Sequence, residues 1–251
     1  MYKTVENTLF IGKKIVFVPT CTSTNDLAIK LLQQPAAVEG TIVVTDSQTA
    51  GRGQRGNQWQ TEPGQNLTLS IILKPVFLAI KDQFYLTMVT ALATYDFLKT
   101  QSPIPAQIKW PNDILIGGKK MGGILIENQL QGDSISSAVI GIGLNINQKD
   151  FVFHTATSLS LVAQHDFTLQ EIFALLLSHI ESRYLMLRNG HHDTLKRDYL
   201  QNLFQLNESA NYLHNDQQFT GIIRGIDAWG KLIIETEQGM ESFDLKEVSF
   251  L

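Results

Sequence analysis

The chain has 251 residues, 43% hydrophobic and 18% charged, with a formal net charge of −4. That length can bury one large core with a small appendage, or two modest cores, and the slightly negative balance excludes a global basic field for nucleic acid. One cysteine, Cys21, excludes an internal disulfide and a zinc cluster. No apolar run approaches the roughly 18 residues of a spanning helix, and Met1–Phe10 lacks the charged-then-apolar order of a signal peptide, so a cytoplasmic, soluble protein without membrane contact is expected.

In chain order, Ile11 to Val18 reads as a first strand, broken by Pro19. Ser23-Thr24-Asn25-Asp26 then precedes an apolar run from Leu27 to Leu32, which predicts a short helix stopping before Pro35. Its first-turn amides could bind polar ligand atoms, although capping alone also explains these residues. Two β-branched and apolar runs, Thr41 to Thr45 and Leu67 to Leu73, follow as strands. The connection between them, Asp46 to Asn66, has no apolar periodicity, and connections longer than about 12–15 residues are usually functional or disordered.

That connection holds Gly51-Arg52-Gly53-Gln54-Arg55-Gly56-Asn57-Gln58-Trp59. Glycine lets backbone approach a ligand closely, arginine offers a planar fork of donors to phosphate or carboxylate, and tryptophan offers a flat wall. The segment predicts a loop that wraps an anionic small molecule, the alternative being a solvated turn. It is neither a P-loop nor a Rossmann fingerprint, because no Gly-Lys-Ser/Thr ending and no following helix are present.

A helix is predicted from Phe84 to Lys99, and strands at 107–110, 113–116, 122–130 and 137–142, with Gly117-Gly118 as a turn. The second cluster, Lys109-Trp110-Pro111-Asn112-Asp113, sits at a proline-forced bend. Through the hairpin at Gly117-Gly118 the charges of Lys109, Asp113 and Lys120 could converge beside Gly122-Gly123, Lys119 and Lys120 being otherwise solvated hairpin residues. A third cluster, Gly141-Ile142-Gly143-Leu144-Asn145-Ile146-Asn147, ends a strand in glycines and side-chain amides. A long helix is predicted from Thr168 to Arg188, with Thr168 and Glu171 as a capping box and Gly190 closing it, then a shorter one from Asp193 to Asn202. His191-His192 reads as a helix start. Apolar runs at 217–224, 231–236 and 240–244, punctuated by glycines, suggest a β-barrel-like module of about 40 residues.

Taken in order, these clusters resemble the biotin protein ligases, or biotin–[acetyl-CoA-carboxylase] ligases. The residues that carry the resemblance are Ser23-Thr24-Asn25, Gln48 with the Gly51–Trp59 segment, Lys109 to Asp113, Lys120 before Gly122-Gly123-Ile124-Leu125, and Gly141 to Asn145. The resemblance implies an α+β fold: a mixed β-sheet flanked by helices, similar to class II aminoacyl-tRNA synthetases, with a small C-terminal SH3-like β module. It divides the chain into a catalytic domain, 1–208, and the module, 209–251.

It also implies a reaction in which biotin and ATP, with Mg2+, give biotinyl-5′-AMP, and a lysine of a biotin carboxyl carrier protein then takes the biotin. In family terms Lys120, Arg52 and Asp113 are catalytic. Ser23, Thr24, Asn25, Gln48, Gly51, Arg52, Gly53, Gln54, Lys120 and Gly123 face biotin. Arg52, Arg55, Trp59, Asn112, Lys120 and Asn145 face ATP or the adenylate, and no protein ligand to the metal is assigned. Lys120 matches the lysine near the biotin carboxylate and α-phosphate; Asp113 matches the acid suggested to orient or deprotonate the acceptor amine. Many relatives carry arginine where this chain has Gln54, and Arg55 is expected to substitute in part. Only about ten residues precede the first strand, leaving no room for the helix-turn-helix of relatives that repress transcription, so a monofunctional form without specific DNA binding is expected. An exposed sheet edge could pair with the carrier or with a second copy as a homodimer. The rival readings are a lipoate or octanoate ligase on the same fold, and a non-catalytic biotin sensor.

Overall fold

The computed structural model describes residues 2–34 and 37–251, with the side chain of Arg55 outside the description. Strands β1 (Ile15–Cys21), β2 (Ile42–Gln48), β3 (Leu67–Leu73), β4 (Ala106–Lys109), β5 (Asp113–Ile116), β6 (Lys119–Gln131) and β7 (Ser134–Leu144) form one sheet in the order β1-β2-β3-β7-β6-β5-β4. β1 runs parallel to β2 and the other neighbours are antiparallel, so the sheet is mixed, as the family resemblance implied.

Alternation along the strands divides the sheet into two unlike faces. Ile42, Val44, Leu67, Leu69, Ile71, Ile140 and Ile142 point into the main core. There they meet helices α2 (Phe84–Gln101), α4 (Leu169–Arg188) and α5 (His192–Gln201), each fully buried Leu or Phe contributing about 1.5–3 kcal/mol. Val43, Ile72 and Val139 point the other way, against Ala28 of helix α1 (Thr24–Leu32). A fifth helix, α3 (Leu159–Ala163), was not expected from the sequence, and Ser158 caps it.

Three local expectations differ from the structure. The first strand starts at Ile15 and not at Ile11, because the chain turns over residues 11–14. Pro19 does not break the first strand, which runs Ile15–Cys21, because β1 is an edge strand and the ladder loses little from one missing donor. Thr168 precedes α4 but its side chain makes no capping hydrogen bond, so the capping box is not formed. Helix α1 ends at Leu32, and Pro35, its expected stop, lies outside the described residues.

The C-terminal strands β8 (Ser209–His214), β9 (Gln217–Ile226), β10 (Leu232–Thr236), β11 (Gly239–Phe243) and β12 (Ser249–Phe250) form an antiparallel sheet ordered β11-β10-β9-β8-β12. Tyr212, Ile223, Leu232, Ile234 and Phe243 fill its interior, and that cluster is continuous with the main core. Two side chains of the second motif meet this module: Trp110 Nε1 donates to the Gly230 carbonyl at 2.8 Å, and Lys109 Nζ lies 4.7 Å from the centre of the Phe250 ring. Among the described residues no helix is long and apolar enough to cross a membrane.

Candidate active site

Opposite the main core, register aligns Thr45, Thr68, Gly143, Gly123, Asp113 and Lys109 as partners across six strands. The next row joins Ser70, Gly141 and Leu125. Apart from Leu125, side chains in these rows are small or polar where the main-core face is aliphatic, so the sheet is hollow here. The two strand glycines are needed for approach: a Cβ on Gly143 would fall 2.3 Å from the Trp59 ring, and one on Gly141 2.4 Å from Asn25 Oδ1.

The resulting cavity of about 340 Å³ is lined by Ser23, Thr24, Asn25, Gln48, Arg52, Gly53, Gln54, Trp59, Asn112, Asp113, Lys120 and Gly123, a volume at the small end for ligand sites. Its floor is a hydrogen-bonded polar group. Gln48 Oε1 accepts from Thr24 N–H at 2.8 Å, and Ser70 Oγ lies 2.7 Å from Thr24 Oγ1 and 2.6 Å from Asn25 Oδ1. Ser23 is the N-cap of α1, so capping and lining are both carried by this short run. Asn112 donates through Nδ2 to the Ile124 carbonyl at 2.6 Å, which ties the Pro111 bend to β6.

The predicted convergence of charge is present. Lys120 Nζ stands 2.7 Å from Asp113 Oδ1 and 5.9 Å from the Trp59 ring centre. Burial lowers the Lys109 pKa below the usual lysine value, the charge of Lys120 lowers it further, and Asp113 opposes the shift.

A second, more open cavity adjoins the first, with Asn145, Gln148, Phe151, Val152 and Phe153 in its wall. Asn57, Gln58, Trp59 and Lys120 line both. Asn145 therefore belongs to the second cavity, where its side chain donates to the Thr157 carbonyl at 3.0 Å. Gly51 does not line either cavity but closes the loop, accepting from Trp59 N–H at 2.9 Å. The side chain of Arg55 lies outside the described residues.

The family model of the Biotin/lipoate A/B protein ligase family matches residues 17–145, and that of the Biotin protein ligase C terminal domain matches residues 210–251. The chain belongs to the biotin protein ligase family. The bifunctional ligase/repressor BirA of Bacillus subtilis (strain 168) is 33% identical over 236 residues, 92% of this chain and 72% of that protein. The biotin–[acetyl-CoA-carboxylase] ligase of Paracoccus denitrificans is 30% identical over 236 residues, 91% of this chain and 97% of that protein. Among solved structures, the biotin protein ligase from Aquifex aeolicus in complex with biotin and ATP aligns with a TM-score of 0.79 at 26% identity, covering 95% of this chain and 99% of that one.

Within this biotin protein ligase the sequence reading missed two groups. Leu245, Val248 and Phe250 of the C-terminal module line the first cavity, although nothing in their local sequence marks them. Ser70, Asp26 and Glu127 join the polar floor or the loop. For Glu127 a signal existed: it lies two and four residues beyond Leu125 and Gly123 on one strand, and so shares their face.

Proposed function

We propose that this chain activates biotin with ATP to biotinyl-5′-AMP and transfers the biotinyl group to one lysine of a biotin carboxyl carrier domain. The observation that carries the reading is Lys120, paired with Asp113 where two cavities share a wall. That is where an acid in one cavity and a nucleotide in the other would meet. A carboxylate oxygen attacks the α-phosphorus, the bond to the bridging oxygen breaks, and pyrophosphate leaves. Two anions approach each other in this step, so a fixed cation at the junction lowers its barrier. The ammonium of Lys120 is placed for that role, whereas the Arg52 guanidinium on the loop above is paired with Asp26 and Glu127.

In the second step the acceptor amine attacks the carbonyl carbon of the mixed anhydride, and the bond to AMP oxygen breaks. The amine must first lose a proton, and Asp113 is the carboxylate at the junction able to take or orient it. Ser23, Thr24, Asn25 and Gln48 supply donors and acceptors for the polar ring of biotin, and Trp59 and Asn145 face the nucleotide side. Magnesium is the ordinary companion of ATP. Among the described residues no group of three His, Cys, Asp or Glu side chains stands together, and neither a protein ligand nor a step is assigned to the ion. The catalytic domain is assigned to 1–208 and the module to 209–251.

The experiment is pyrophosphate release from MgATP with biotin, and in parallel with lipoate, for wild type and Lys120→Ala. Release with biotin alone, lost in the variant, is the expected result. Release with lipoate alone would move the chain to lipoyl chemistry, and biotin binding without release would make it a sensor.

A further inference from the structure

One carboxylate, Glu127, connects the floor of the first cavity to the loop above it. Its Oε2 accepts from Asn25 Nδ2 at 2.7 Å and from Arg52 Nη2 at 3.0 Å, while Oε1 lies 3.1 Å from the same Arg52 nitrogen. That nitrogen also donates to Asp26 Oδ1 at 2.7 Å, in the first turn of α1. A single guanidinium nitrogen of the loop is thus shared by carboxylates from a helix and from the sheet.

The backbone of the loop closes on itself. Gly53 N–H donates to the Asn57 carbonyl at 2.7 Å, Asn57 N–H to the Gln54 carbonyl at 3.2 Å, and Trp59 N–H to the Gly51 carbonyl at 2.9 Å. Such a loop keeps its own shape, and its position depends on what ties it to the body. Among the described residues from 51 to 59, Arg52 is the side chain that makes hydrogen bonds to helix and sheet. Exposed ion pairs are individually weak, but here two carboxylates act together on one guanidinium nitrogen. Neither Glu127 nor Asp26 lines either cavity.

We propose that Glu127 and Asp26 are positioning residues that hold Arg52, and through it the Gly51–Trp59 loop, across the cavity, so that the acyl adenylate is retained until the acceptor arrives. This rests on the ligase reading above. Glu127→Gln keeps an acceptor for Asn25 and removes one charge that holds Arg52; Asp26→Asn removes the other, at a half-buried position.

The test loads wild type and each variant with biotin and MgATP, desalts rapidly, and follows loss of radiolabelled biotinyl-5′-AMP without acceptor. Tryptic cleavage within the loop is followed in parallel. Each variant is expected to release the adenylate about tenfold faster and to be cut faster, with the pyrophosphate burst within about twofold of wild type. In an Arg52→Ala background, Glu127→Gln is expected to add less than about twofold to release, because it acts through Arg52. Unchanged release in both variants overturns the proposal. So does an undiminished effect of Glu127→Gln in the Arg52→Ala background, which would place its action on the floor through Asn25, and so does a burst that falls in step with retention. If Glu127→Gln fails to fold, Asp26→Asn decides alone. If wild type itself gives no biotin-dependent pyrophosphate, the ligase reading fails, and the latch is judged by cleavage, which must still rise in the variants.

Discussion

Lys120 Nζ and Asp113 Oδ1 are 2.7 Å apart, and each neutralises the other. The pair comes from opposite arms of the hairpin through Gly117-Gly118, whose register brings β5 against the start of β6. The two residues should therefore fail differently. Lys120→Ala is expected to slow adenylate formation by about 100-fold or more, the usual scale for losing a fixed charge-stabilising group. Asp113→Asn keeps the shape and is expected to slow transfer to the carrier lysine by about 10–100-fold while sparing the first pyrophosphate burst. Single-turnover measurements of the two half-reactions separate these outcomes; equal losses in both steps for Asp113→Asn would refute the division of labour.

Gly143→Ala should act on the nucleotide side. The added methyl group would meet the Trp59 ring at 2.3 Å, and a fused ring in a packed wall cannot yield that much without shifting the loop. The expected result is a fall in kcat/KM for ATP of about tenfold or more, equivalent to about 1.4 kcal/mol. Pyrophosphate exchange at varied ATP measures it. An unaltered value would mean that Trp59 moves aside without cost.

Glu181 offers a prediction about stability alone. It is 4% exposed, and its carboxylate accepts from the backbone N–H groups of Phe10 and Ile11 at 2.8 and 2.9 Å, as well as from that of Leu9. Glu181→Ala leaves buried donors unpaired and is expected to cost about 2–4 kcal/mol in urea unfolding. KM for biotin and ATP should not change, because Glu181 lines neither cavity. A loss below about 1 kcal/mol would show that water replaces it readily.

Alkaline pH should weaken the fold. Burial, with smaller contributions from Asp46 and Glu208 respectively, pushes the Tyr2 and Tyr212 phenols up to about 12; burial raises Tyr184 and Tyr199 further. A raised folded pKa gives stability that is complete below the unfolded value near 10 and is lost as pH climbs through the folded values. Lys109, shifted down, works the other way and adds stability up to its unfolded value near 10.4, but it is one group against four. The Tm by calorimetry should hold steady from pH 8 to 9.5 and fall above about 10. A Tm that stays level to pH 11.5 would contradict this.

Much of the site was legible because its chemistry sits in short local runs. Ser23 to Asn25, the Gly51–Trp59 loop and the Lys109–Asp113 bend each announce themselves by composition, and the turn at Gly117-Gly118 was enough to bring Lys120 to Asp113. The strand order was not legible, since the placement of β7 between β3 and β6 depends on pairings far apart in sequence. For the same reason Phe250 could not be placed beside Lys109, from which it is separated by more than half of the chain. Pro19 misled because the rule against proline in strands is weak at an edge, and edge position is a property of the assembled sheet. β12, only two residues long, carries too little pattern to be seen.

The shared wall between the two cavities gives the molecule its own optical probe. Trp59 borders both spaces beside the Lys120 ammonium, and its buried indole N–H has no hydrogen-bond partner within the protein. Trp110 is 4% exposed and bonded to Gly230, whereas Trp229 is 58% exposed. Three indoles in such different surroundings fluoresce at different wavelengths, the exposed one furthest to the red. Emission from a Trp110→Phe, Trp229→Phe double variant would come from Trp59 alone, so filling one cavity and then the other could be watched as two successive changes in the light from a single residue.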